Sequence, residues 1–149
     1  MTASPLRVGI AGVGRMGRHH AANLAHRVLG AELAAACSPV ADELAWARDT
    51  LGVAHGYADY ARMLAHPGLE AVFLATPTTL HADQIIAGLE AGLHVFSEKP
   101  LALNLPDCLR VEAVAAKHPR QKAMIGYVRR LDPSYRDAFD KIKAGAIGR

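Results

Sequence analysis

Two apolar patterns alternate along the chain: short unbroken runs, and longer stretches in which apolar residues return every three or four positions. Residues 6–11, Leu-Arg-Val-Gly-Ile-Ala, suit a strand buried on both faces, and a helical pattern follows over 15–29. Glu32 to Cys37 predicts a second strand and Val40 to Leu51 a second helix. A short third strand is expected at Val53 to His55, and Asp59 is placed to cap a short helix reaching Ala65, ended by Pro67-Gly68. Ala71 to Ala75 is a buried strand, the segment from Thr78 or Thr79 to Ala91 is helical, Gly92 stops it, and Leu93 to Phe96 is the next strand. Asn104 with Asp107 marks the start of a helix over 105–118, and Lys122 to Tyr127 reads as a sixth strand. Strands joined through helices must run parallel, so the pattern predicts a doubly wound α/β domain with a mainly parallel sheet.

The junction of the first strand and first helix carries chemistry. It reads Gly12-Val-Gly14-Arg15-Met16-Gly17. Gly12 permits a tight turn, Gly14 lets a ligand approach the main chain, and Gly17 lets the helix pack against the strand. Unpaired N–H groups at the helix start, and the positive end of its dipole, favour an anion such as a pyrophosphate. Three glycines in six residues also occur in ordinary turns. The strand before, the helix after and a second apolar strand ending about 20 residues on point instead to a Rossmann-type nucleotide site.

Past the sixth strand the pattern changes. Asp132-Pro133 starts a helix, Tyr135, Ala138, Phe139 and Ile142 share one face, and Gly145 stops it. The closing Ala-Ile-Gly-Arg resembles the approach to a further strand. The expected division is therefore a nucleotide-binding domain over 1–132 and, over 133–149, a helix and the start of a connection to a second domain lying outside this chain.

Composition narrows the choice of partner. The chain has 149 residues, 51% hydrophobic and 21% charged, with a formal net charge of +3, which suits one folded domain. Its basic residues are dispersed rather than gathered in a stripe with aromatics, which argues against nucleic acid. No apolar run approaches the roughly 18 residues of a membrane span, and no signal-peptide core follows Met1. Cys37 and Cys108 form no Cys-x-x-Cys pair and read as reduced thiols, so the expected location is the cytoplasm. His19 and His20 are adjacent on a helix and point in different directions, so no metal site is expected.

Further segments align with the glycine loop. Thr76-Pro77-Thr78-Thr79-Leu80-His81 follows the fourth strand, Glu98-Lys99-Pro100 the fifth, and Gly126-Tyr127-x-Arg129-Arg130-x-Asp132-Pro133-x-Tyr135 the sixth. Together, over nearly the whole chain, they resemble the Gfo/Idh/MocA oxidoreductase family, which includes inositol dehydrogenases. The resemblance implies an NAD(P)-dependent dehydrogenase transferring hydride between nicotinamide and a sugar or polyol carbinol carbon. It further implies a second, α+β substrate domain absent here, and homo-oligomers formed through that domain. Such a chain would be catalytically incomplete alone. The rival reading is a non-catalytic nucleotide-binding sensor or regulatory module.

Lys99 is the expected catalytic cation. It sits at the carboxyl end of a central strand, where open α/β sheets bind ligands, and Pro100 restricts it to an extended conformation. From the residues alone it could equally be a surface lysine paired with Glu98. The resemblance instead places it beside the nicotinamide and the substrate hydroxyl, where a cation stabilises a developing alkoxide. Expected cofactor contacts are Gly12, Gly14, Arg15, Met16, Gly17, Ser38, Thr76, Pro77, Thr78, His81, Glu98 and Lys99. Arg129 is a candidate substrate contact, with a solvated surface charge as the alternative. NAD sites carry Asp or Glu at the end of the second strand, and here stands Ser38, so with Arg15 nearby the pattern favours NADP over NAD.

Overall fold

The computed structural model describes residues 4–148. Six strands, β1 (Leu6–Ala11), β2 (Ala31–Cys37), β3 (His55–Tyr57), β4 (Ala71–Leu74), β5 (His94–Ser97) and β6 (Ala123–Ile125), form one sheet in the order β3-β2-β1-β4-β5-β6. All adjacent pairs are parallel, with Ala11 opposite Cys37 on one side and Leu74 on the other. The order reverses between β1 and β4. That reversal opens a crevice at the carboxyl ends of these two strands, the place where doubly wound sheets take ligands.

Helices α1 (Arg15–His26), α2 (Ala41–Leu51), α3 (Tyr60–Leu64), α4 (His81–Glu90) and α5 (Leu105–Lys117) complete the domain. Two apolar clusters flank the sheet. One gathers Val8, Ile10, Val13, Ala21, Leu24, Ala47 and Val53 beneath α1 and α2. The other gathers Met63, Val72, Leu74, Ile85, Leu89 and Val111 beneath α3, α4 and α5. Burial on both faces explains why the strands read as unbroken apolar runs.

The helix caps follow the side chains present. Asp59 accepts the Arg62 N–H at 2.9 Å, and Asn104 accepts the Asp107 N–H at 2.9 Å. Asp132 accepts the Ser134 N–H at 3.0 Å to start α6 (Pro133–Lys143), whose last carbonyls are closed over Gly145 at φ +85°. No α6 residue is buried, and its main neighbour is the turn at Val128–Arg130.

Several boundaries shift from the expected ones. α1 ends at His26 rather than residue 29, because the Arg27 and Val28 N–H groups both close onto the Asn23 carbonyl and the chain turns through Gly30 into β2. β3 starts two residues late, since Val53 is buried among α2 and β1 side chains before the chain reaches the edge of β2. Thr78–Leu80 forms a tight 3-10 turn ahead of α4. β6 stops at Ile125, where Tyr127 and Val128 fold back onto the Ile125 and Gly126 carbonyls.

Candidate cofactor and active site

The glycine loop has the form a dinucleotide needs. Gly12 has φ +84°, and a Cβ there would lie 2.6 Å from the Ala75 carbonyl oxygen. A Cβ on Gly17 would overlap the Gly12 carbonyl oxygen, so the helix presses directly on the turn. Gly14 is different: it has ordinary backbone angles and only the Glu43 carboxylate, at 3.4 Å, stands near where its Cβ would be. Its face is therefore bare. No side chain caps α1 and no acidic residue occupies its first turn. Its first N–H groups are thus available to an anion, with the helix dipole behind them. These residues fit the pyrophosphate of a dinucleotide.

Gly14, Arg15, Arg18, His19 and Glu43 line a cleft of about 470 Å³ beside this helix start. Glu43, in the first turn of α2, was not among the expected contacts. Ser38 explains its position. The Ser38 side chain is only 2% exposed; its hydroxyl donates to Glu43 at 2.5 Å and accepts the Val40 N–H at 3.1 Å. The end of β2 lacks a carboxylate of its own, but the next helix returns one to the same neighbourhood. The one proton of the Ser38 hydroxyl is thus engaged by Glu43. The sequence signal was present, since an acidic residue five positions past Ser38 lies in the first turn of a helix that begins there.

Thr76, Pro77 and Thr78 form the loop after β4, across the crevice from the glycine loop. Thr76 donates its hydroxyl to Gln84 at 2.5 Å. His81 opens α4, but its ring is turned inward, 1% exposed, with Nδ1 2.7 Å from the Pro100 carbonyl and Nε2 3.0 Å from that of Thr76.

Glu98, Lys99 and Pro100 leave the end of β5. Glu98 pairs with His20 at 2.9 Å rather than with Lys99's ammonium group, and Lys99 contributes only its N–H to Glu98, at 3.2 Å. Lys99 is exposed and its side chain enters none of the ion pairs among the described residues. A surface pairing of Lys99 with Glu98 is therefore not what the fold makes. Arg129 lies beyond β6, 3.5 Å from Asp132 and with its guanidinium 4.9 Å from the centre of the Tyr135 ring. It belongs to the neighbourhood of α6 rather than to the crevice.

The remaining reactive groups are elsewhere. Cys37 is buried, its thiol pushed up to about 11 by burial and then by the Asp59 charge, so it stays protonated at neutral pH. Among the described residues no three His, Cys, Asp or Glu side chains converge as metal ligands, and no helix is long and apolar enough to cross a membrane.

Comparison with known proteins agrees with the geometry. The model of the oxidoreductase family with an NAD-binding Rossmann fold matches residues 6–127. A scyllo-inositol 2-dehydrogenase (NAD(+)) from Bacillus subtilis is 36% identical over 144 residues, which are 97% of this chain and 42% of that protein. The crystal structure of apo scyllo-inositol dehydrogenase from Lactobacillus casei superposes with a TM-score of 0.94 at 41% identity, covering 99% of this chain and 44% of that one. The same enzyme with bound NAD(H) and scyllo-inositol superposes with a TM-score of 0.92 at 41% identity, covering 97% of this chain and 43% of that one. The chain thus spans less than half the length of the relatives it matches. The crevice at the strand reversal, the bare glycine loop and these likenesses lead to one assignment: the chain belongs to the Gfo/Idh/MocA oxidoreductase family and forms its NAD-binding Rossmann domain.

Proposed function

We propose that this chain is the cofactor-binding part of a dehydrogenase acting on a cyclic polyol of the inositol type, with Lys99 as its active-site cation. The observation that carries the reading is an exposed lysine outside every ion pair among the described residues, at the carboxyl end of β5, one strand from the strand reversal. Gly12, Gly14 and Gly17 with the N–H groups of α1 would hold the pyrophosphate. The bound nicotinamide would supply the hydride acceptor. Lys99 would lower the pKa of the substrate hydroxyl and stabilise the alkoxide that forms as its proton leaves. The relatives' names support an inositol as substrate, and their greater length supports a second domain that brings the base and most substrate contacts.

Glu43 favours NAD over NADP. A carboxylate beside the glycine loop accepts hydrogen bonds from a ribose 2′-hydroxyl and repels a 2′-phosphate. Ser38 alone would favour NADP, but it is spent on orienting Glu43. Arg15 and Arg18 in the same cleft leave a route to NADP once the carboxylate is removed. Two unpaired cysteines, one buried, support a reducing, cytoplasmic setting.

The test is a fusion of this chain to the remaining portion of the Bacillus subtilis relative, assayed for NAD reduction with scyllo- and myo-inositol. Turnover that falls about a hundredfold or more on Lys99→Ala, with NAD affinity unchanged within error, is the expected result. A fusion indifferent to Lys99→Ala would contradict the role given to Lys99.

A further inference from the structure

We propose that two histidines hold Lys99 in place by gripping its neighbours in the chain, His20 through Glu98 and His81 through Pro100. The proposal rests on the reading of Lys99 as the active-site cation. A lysine ammonium rides on a flexible four-carbon stem, and an exposed one has nothing but its own backbone to set its direction. For this group to meet a substrate hydroxyl reproducibly, the peptide on each side must be fixed by something else.

Both sides are fixed. On the amino side, Glu98 is bidentate between two partners: Oε1 lies 2.9 Å from His20 Nε2, and Oε2 accepts the Lys99 N–H at 3.2 Å. An N–H on His20 Nε2 satisfies the first contact. The His20 ring in turn lies against Phe73, with centroids 4.5 Å apart, and Phe73 stacks on Phe96 at 4.4 Å, so the histidine is braced on the sheet. On the carboxyl side, the buried His81 ring donates from Nδ1 to the Pro100 carbonyl at 2.7 Å. Its other nitrogen lies 3.0 Å from the Thr76 carbonyl, so the buried ring sits packed between the loop after β4 and the loop after β5.

His20 lies in the second turn of α1, and His81 begins α4. Lys99 is thereby referenced to the helix whose first N–H groups would hold the pyrophosphate and to the loop on the opposite side of the crevice. Glu98 has both oxygens engaged, so its part is to position Lys99 rather than to touch the cofactor. His20 and His81 are positioning residues in the same sense; neither faces the cleft.

The experiment uses the 149-residue chain and follows amide hydrogen exchange at Lys99 by NMR, with the amides of Ile10 and Val72 reporting on the core. Glu98→Ala and His20→Ala should each speed Lys99 exchange about tenfold or more, the loss expected for one hydrogen bond or its support, and leave the core amides unchanged. Glu98→Gln, which keeps an acceptor for the Lys99 N–H and a polar contact to His20, should restore most of the protection. For His81, whose removal can loosen α4, the pair His81→Leu and His81→Asn separates packing from hydrogen bonding. Leu should speed Lys99 exchange, and Asn, which retains a donor, should restore it. In the fusion enzyme, His20→Ala should lower kcat about tenfold or more and leave KM for NAD within about threefold. Unchanged Lys99 exchange in both Glu98→Ala and His20→Ala, with the core intact, would overturn the proposal, as would a Glu98→Gln variant as loose as Glu98→Ala. Lys99 exchange that responds as stated in a chain that binds no NAD would support the clamp and refute the cofactor reading instead.

Discussion

Gly14 and Gly17 stand three residues apart and make opposite demands on a side chain. At Gly17 the obstacle is the rigid Gly12 carbonyl, so Gly17→Ala must displace α1 or the turn and should cost about 2 kcal/mol or more, read from the midpoint of denaturant unfolding. At Gly14 a side chain meets only the end of Glu43. Gly14→Val should therefore keep the folded domain and its unfolding midpoint while filling the ligand's place. Glu43→Ala should raise the ratio of NADP to NAD affinity about tenfold or more, equivalent to about 1.4 kcal/mol, because Arg15 and Arg18 remain to meet a 2′-phosphate. Titration of the variant with both cofactors checks it. The glycines were legible in the sequence because their reasons are local, a turn and a helix start within six residues. Glu43 was legible only as an acidic residue in the first turn of α2, since its place beside the glycine loop depends on where α2 lies against α1, and the contacts of His20 with Glu98 and of His81 with Pro100 were not legible at all, because they join segments 78 and 19 residues apart.

Every strand and helix foreseen from apolar spacing exists; the ends of α1 and β6 moved where main-chain contacts make the stop, and β3 is displaced by the burial of Val53. Asp59, Asn104 and Asp132 cap the helices they were expected to cap, since capping is read within three residues. Asn104→Ala should lower stability by about 1 kcal/mol, seen as a fall in unfolding midpoint, as it removes the acceptor at the start of α5. The opening of β1, the end of β3 and the turn before β4 meet at His66. Its Nδ1 contacts the Tyr57 hydroxyl at 2.9 Å, its Nε2 lies 3.5 Å from Arg7, and its ring lies 4.7 Å from that of His55. Burial, then His55, then Arg7 hold its pKa below the usual 6.5. Below that value the unfolded chain takes up the proton before the folded one, so this group removes stability as pH falls from 6.5 toward its folded pKa and has no effect above. His66→Gln should flatten the fall in unfolding midpoint over that acidic range; a slope identical to the unmodified chain would show that other groups set it.

For the whole molecule, the notable surface is that of α6. Tyr135, Phe139 and Ile142 are each more than half exposed and, with Leu131, line an apolar groove of about 880 Å³. The sequence pattern foretold the shared face of these residues, with a second domain as its expected cover. An exposed apolar face of this kind favours self-association. The chain should therefore show concentration-dependent dimers or larger species in sedimentation velocity, reduced by Phe139→Glu. A monomer insensitive to concentration would contradict this.

If these residues form a dinucleotide site selective for NAD, calorimetric titration of the chain with NAD and NADP, beside Gly14→Val, will show it. The expected result is a single site for NAD, weaker or no binding of NADP, and no binding of either by a folded Gly14→Val variant. Failure of both cofactors to bind at millimolar concentration, or equal binding by Gly14→Val, would contradict it.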